Sequence, residues 1–192
     1  NLLQSSMTSN DIVTDYIRML MKLLGGINVS EIESFRRAIL EAVHTNRRIF
    51  ICGNGGSAST SQHFAVDLGV GTLKYSGKAI KVISLVENSA VLTATANDLQ
   101  YEKIFSEQVS LLGESGDLLI LISASGNSLN LLNAASASRD IGMKNLTITG
   151  FDGGKLKELT DNYIHVPCYD MQICEDIHLM IGHIIMKSID TK

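Results

Sequence analysis

Arg48-Ile49-Phe50-Ile51-Cys52-Gly53-Asn54-Gly55-Gly56-Ser57-Ala58-Ser59 is the stretch on which the reading of the chain turns. A short apolar run of strand character ends in Gly-Asn-Gly-Gly, and a segment of helical composition follows at once. Glycine permits backbone turns that a Cβ resists. The first turn of the next helix offers spare N–H groups and the positive end of a helix dipole, a combination suited to an anion. Ser57 and Ser59 add hydroxyl donors there, and Asn54, Gly55 and Gly56 form the turn itself, so these five are candidate binding residues. The spacing of Gly53, Gly55 and Gly56 does not give G-x-G-x-x-G, and no Gly-Lys-Ser/Thr follows, which disfavours the dinucleotide fingerprint and the P-loop. Two readings stand side by side: a phosphate cradle, and a plain glycine-rich turn between strand and helix.

Upstream, apolar positions at Ile12, Val13, Tyr16, Ile17, Leu20, Met21 and Leu24 predict an amphipathic helix over about 9–24, capped by Ser9 or Asn10 and stopped by Gly25-Gly26. A second helix, capped by Asn28 or Ser30, presents Ile32, Phe35, Ile39, Leu40 and Val43 on one face. Downstream the chain alternates: strand 49–52, helix 57–69, strand 79–85, helix 89–96, helix 101–112, strand 116–122, a helix to Ile141, strand 145–149, helix 153–159, strand 163–166, and a long helix from about Asp170 to Ser188. Strands separated by helices predict an α/β fold, a five-stranded parallel sheet with helices on both faces, preceded by two N-terminal helices (9–46) and closed by a long C-terminal one.

At 192 residues the chain is expected to form a single domain over 1–192, with residues 1–6 a remnant ahead of a natural start at Met7. A net charge of −4 argues against a nucleic-acid surface, and 5% aromatic residues with no Trp argue against a base-stacking platform. Cys52, Cys168 and Cys174 are odd in number and lack C-x-x-C spacing, so they read as reduced thiols of a cytoplasmic protein. No apolar run reaches the length of a membrane span and no signal peptide is apparent.

A second serine-bearing turn follows the most apolar strand. Ser123-Ala124-Ser125-Gly126-Asn127-Ser128 lies at a strand's carboxyl end and a helix start, where ligands bind in open α/β sheets. Ser123, Ser125 and Ser128 are candidate phosphate ligands; the plainer reading is a serine-rich helix cap. His63 and Asp67 stand four apart on the first helix after the glycine turn and share a face. Glu175 and His183 lie on adjoining parts of one surface of the last helix.

Gly53-Asn54-Gly55-Gly56-Ser57, His63-Phe64-Ala65, Ala96-Asn97-Asp98, the Ser-Gly-Asn-Ser of 125–128, and Gly150-Phe151-Asp152-Gly153-Gly154 occur in this order. Together they resemble the sugar isomerase (SIS) fold, and within it the phosphoheptose isomerase (sedoheptulose-7-phosphate isomerase) family, over nearly the whole chain. The resemblance implies a doubly wound sheet, a homotetramer with active sites at subunit interfaces, and interconversion of a ketose phosphate and its aldose through an enediol in lipopolysaccharide synthesis. It also implies one zinc ion per subunit, with His63, Asp67, Glu175 and His183 as the ligand set, Asp67 and His183 as the acid/base pair, and Asn97, Asp98 and Glu175 near the sugar.

Two positions and two stretches depart from that pattern. Asp67 replaces a glutamate and is one methylene shorter, and Glu175 falls where glutamine is usual. Residues 68–74 lack the arginine found there in heptose enzymes, and Ser76-Gly77-Lys78-Ala79 replaces a proline-containing lead. The alternatives are a non-catalytic, regulatory sugar-phosphate-binding protein of the same fold, and an isomerase of another sugar phosphate in surface-polysaccharide synthesis.

Overall fold

The computed structural model describes residues 9–76 and 80–189; the expected remnant at 1–6 and the expected strand start at Ala79 lie outside them. Five strands, β1 (Ile49–Gly53), β2 (Val82–Ser84), β3 (Leu118–Ser123), β4 (Lys144–Thr149) and β5 (Asn162–His165), form one sheet in the order β2-β1-β3-β4-β5. Every pairing is parallel, with Ile49 opposite both Val82 and Leu118. The alternation along β1 and β3 shows why helices must cover both faces. Ile49, Ile51, Leu118, Ile120 and Ile122 enter one core, while Phe50, Cys52, Leu119 and Leu121 enter the other.

The first core is closed by α2 (Val29–His44), α3 (Gly56–Val66) and α9 (Met171–Ile189), through Phe35, Ile39, Phe64, Ile177 and Ile181. The second is closed by α6 (Ser106–Leu112), α7 (Leu129–Asp140) and α8 (Gly154–Leu159), through Val109, Leu131 and Leu156. Asn28 is the cap of α2, its side chain accepting from the Ser30 N–H at 3.0 Å. The N-terminal helix α1 (Ser9–Gly25) buries no residue and is pinned to α9 where the Tyr16 hydroxyl donates to Asp176 at 2.6 Å.

Three expected elements come out differently. The helix expected over 57–69 is α3 followed by a single π-turn, Asp67–Gly71, and then α4 (Thr72–Ser76). That expected over 101–112 is divided into a 3₁₀ turn (Tyr101–Lys103) and α6, because Ile104 and Phe105 both turn into the second core. The strand expected over 79–85 contracts to β2, an edge strand paired on one side only.

The strand order reverses between β1 and β3, the switch point at which doubly wound sheets bind ligands. Both serine-bearing turns stand there.

Candidate active site

The first loop is held by glycine geometry. Gly55 has φ +56°, and a Cβ on Gly53 would lie 2.6 Å from the Ser57 carbonyl oxygen. The start of α3 therefore folds tightly back onto the end of β1. Ser57 is buried and Ser59 exposed, and the loop lines a pocket of about 330 Å³ together with Gln62 and Tyr101.

The second loop is held by its own hydroxyls. Ser123 Oγ accepts from the Gly126 N–H at 3.0 Å, and Ser125 Oγ accepts from the Asn127 N–H at 3.3 Å. Gly126, at φ +64°, is pressed so close to Gly153 that a Cβ would lie 2.1 Å from its carbonyl oxygen. Ser128 precedes α7 without bonding the helix's own N–H groups.

A pair of amides ties the two loops together. Asn54 Nδ2 donates to Asn130 Oδ1 at 3.0 Å, and Asn130 Nδ2 returns the bond to Asn54 Oδ1 at 2.8 Å. Tyr101 adds a third bond, its hydroxyl donating to Asn54 Oδ1 at 3.0 Å. Asn130 is 2% exposed. Neither Asn130 nor Tyr101 stands out in the sequence. The available sign for Asn130 was an amide on the buried stripe of α7, beside Leu131, Ala134 and Ala135.

Beyond the first loop, α3 and α9 bring three side chains to one point. His63 Nε2 and His183 Nε2 are 3.1 Å apart, and Asp67 Oδ2 lies 3.7 Å from the first and 3.5 Å from the second. Asp67 Oδ2 is buried and has no hydrogen-bond partner. A buried carboxylate oxygen left this way is costly, and a cation among the three would satisfy it. Two imidazole nitrogens and a carboxylate oxygen are a donor set suited to Zn²⁺ or another divalent first-row ion, so His63, Asp67 and His183 form a candidate metal centre.

Glu175 is not gathered with these three. Eight residues separate it from His183, about 12 Å along the helix. Its carboxylate instead presses on the start of α3, where a Cβ on Gly56 would lie 2.2 Å from Oε2. Asn97 and Asp98 are exposed at the end of α5 (Ser89–Asp98), where the Asn97 amide donates to the Asp98 carboxylate at 2.7 Å. Within one chain they do not reach the pocket lining.

Known proteins share this fold. The SIS domain family matches residues 14–150. The phosphoheptose isomerase of Helicobacter pylori strain P12 is 44% identical over 152 residues, covering 79% of each chain. The chain belongs to the phosphoheptose isomerase family. Its relative from Aliarcobacter butzleri is 40% identical over 161 residues, covering 84% of this chain and 85% of its own. Among solved members, the phosphoheptose isomerase of Neisseria gonorrhoeae superposes with a TM-score of 0.84 at 30% identity, covering 93% of this chain and 94% of its own. That of Francisella tularensis gives 0.88 at 28% identity, covering 97% and 100%. Across these relatives the family keeps its fold while more than half of the residues change.

Among the described residues no helix is long and apolar enough to cross a membrane. Cys52, Cys168 and Cys174 are all buried free thiols, with burial pushing the Cys174 thiol up to about 11.

Proposed function

We propose that this protein, acting as one domain over its whole length, isomerises sedoheptulose 7-phosphate to D-glycero-D-manno-heptose 7-phosphate in the cytoplasm. The observation that carries this reading is the convergence of His63, Asp67 and His183 from α9 and from the helix that follows the first serine-bearing loop, in a chain 44% identical to a phosphoheptose isomerase. The phosphate is held by Ser123, Ser125 and Ser128, with Ser57 and Ser59 across the crevice and Asn54, Gly55 and Gly56 supplying backbone and amide contacts.

Asp67 takes the proton from C1 of the ketose as O2 of the carbonyl gains one, giving the enediol. Asp67 then returns the proton to C2 as O1 gives one up, and the aldose results. His183 serves the oxygens, so the exchange consumes no net proton. A positioned acid or base of this kind contributes about 10²–10⁴-fold. His63, Asp67 and His183 would hold one divalent ion, zinc by its donor set, and its chemistry when bound is to polarise an adjacent carbonyl or hydroxyl oxygen.

The same geometry favours assembly. His63 and His183 remain about half exposed, and Val66, Val70, Leu73 and Ile184 are exposed apolar neighbours in sequence. A second copy seated there would close the centre and could bring Asn97 and Asp98 to the sugar, in a homotetramer with interface active sites.

The deciding experiment follows aldose formation from sedoheptulose 7-phosphate, with and without added Zn²⁺, for the wild type and Asp67→Asn. Turnover reduced by about 10²–10⁴-fold in the variant supports the reading. No wild-type turnover, with thermal stabilisation by other sugar phosphates, would move the substrate elsewhere. Neither turnover nor stabilisation would favour a regulatory protein.

A further inference from the structure

The helix that carries His63 does not run on regularly past the centre. After α3 ends at Val66, residues Asp67–Gly71 make one π-turn, and the Thr72 N–H is shared between the Asp67 carbonyl, five residues back, and the Gly69 carbonyl. In an α-helix that N–H would serve the Leu68 carbonyl, four residues back. Here the Thr72 hydroxyl serves it instead, donating to the Leu68 carbonyl and, at 3.3 Å, to the Gly69 carbonyl. Thr72 is 1% exposed, so the substitute is supplied where solvent has little access.

The glycines in this turn are not required by space. A Cβ on Gly69 would meet nothing within 4 Å, and one on Gly71 would make ordinary contact with Met186, 3.8 Å away. Their effect is to weaken the competing α-helix, for which glycine is a poor former. π-turns set within helices are rare and concentrate at functional positions. This one begins at Asp67 and lies against α9, with Gly71 beside Met186, one turn beyond His183. On the other side, the bare Cα of Gly182 lets the Phe64 ring come so near that a Cβ there would stand 3.3 Å from it.

We propose that the π-turn, closed by Thr72, is a positioning device that seats the chain just beyond Asp67 against α9 and so holds the end of α3, with its short carboxylate, beside the two imidazoles. Thr72 is then a positioning residue for the centre. The proposal rests on reading His63, Asp67 and His183 as a metal-holding set.

The test is Zn²⁺ affinity of the full chain, by competition with a chromophoric chelator, alongside a thermal melt. Thr72→Val removes the hydroxyl and is expected to weaken zinc binding roughly ten- to a hundredfold, as loss of a supporting residue does in metal sites. Thr72→Ser keeps the hydroxyl and should keep the affinity. Adding Asp67→Glu to Thr72→Val should restore binding, because the longer side chain no longer needs the widened turn. A merely structural role for Thr72 would not be rescued this way. Gly69→Ala with Gly71→Ala favours the regular helix without touching Thr72 and should repeat the loss, which covers the case in which Thr72→Val fails to fold. Wild-type affinity in both Thr72→Val and the double alanine variant would overturn the proposal, as would failure of Asp67→Glu to rescue. No zinc binding by the wild type would overturn the centre itself, a separate result.

Discussion

After β1 the chain turns through Gly53–Gly56 and meets the carboxylate of Glu175, whereas after β3 it turns through Ser123–Ser128 and spends two serine oxygens on its own backbone. Each loop ends at a helix N-terminus, so each has the same intrinsic attraction for an anion. At the start of α3 that attraction is already partly answered by Glu175. At the start of α7, Ser123 and Ser125 accept from backbone N–H groups, which leaves their own protons to donate outward, and Ser128 is not spent on the helix. A dianionic phosphate is therefore better served by the second loop. The first loop, with a carboxylate at hand, suits the hydroxyl-bearing part of a sugar. On the proposed reading the two loops would face the substrate's charged and neutral ends respectively, with the Asn54–Asn130 amide pair linking them.

Serine truncation on the two sides is the widest way to break this comparison. A hydroxyl donating to a charged oxygen is worth about 1.5–3 kcal/mol, roughly ten- to a hundredfold. Ser128→Ala should raise KM for the sugar phosphate by that factor with little change in kcat, whereas Ser59→Ala, on the exposed side of the first loop, should raise it severalfold at most. Steady-state kinetics on both variants measures the ratio, and equal effects would remove the distinction between the loops.

The sheet was legible because parallel strands buried on both faces are continuous apolar runs, as in Leu118–Ile122, and because a glycine or serine turn punctuates each carboxyl end. His63 and Asp67 were legible as a pair because four residues make one helical turn. The π-turn was not, because the apolar pattern runs past it and the hydroxyl that stabilises it belongs to Thr72, an ordinary helix residue by composition. Glu175 stands apart from the other three within one chain for a related reason: spacing gives the face of a helix but says less about reach, and the rise between Glu175 and His183 separates two residues that share a surface. Asn130 was hidden because asparagine at a helix start reads as a cap until its partner across the crevice is known.

Acid sensitivity sharpens the comparison by separating the loops from the helix that serves both. α9 carries Glu175 and His183, and between them His178, which is fully buried with neither ring nitrogen in a well-formed hydrogen bond. Burial pushes its pKa down to about 4, against a smaller opposing pull from the Thr149 backbone. Because the folded value lies below the unfolded one near 6.5, the unfolded chain binds more protons between the two. This contribution is therefore present above pH 6.5 and lost as pH falls toward 4, about 2 kcal/mol by pH 5. Urea unfolding at pH 7.5 and pH 5, at fixed protein concentration, should show that extra loss in the wild type and not in His178→Gln. An equal loss in both would assign acid sensitivity to other groups.

The finest test is Glu175→Gln. A carboxylate at the first turn of an exposed helix contributes about 0.3–1 kcal/mol, so the variant should melt slightly lower. Removing a like charge from the crevice should at the same time tighten binding of inorganic phosphate severalfold, measured by calorimetry, because the first loop then becomes an anion site comparable to the second. The two changes have opposite signs, which a general loss of structure could not produce. Unchanged phosphate affinity would mean that Glu175 does not set the loops apart. A tenfold loss of zinc affinity in the same variant would instead place this carboxylate on the ion, delivered from a second copy of the chain. The division of labour would then lie between subunits and not between two loops of one.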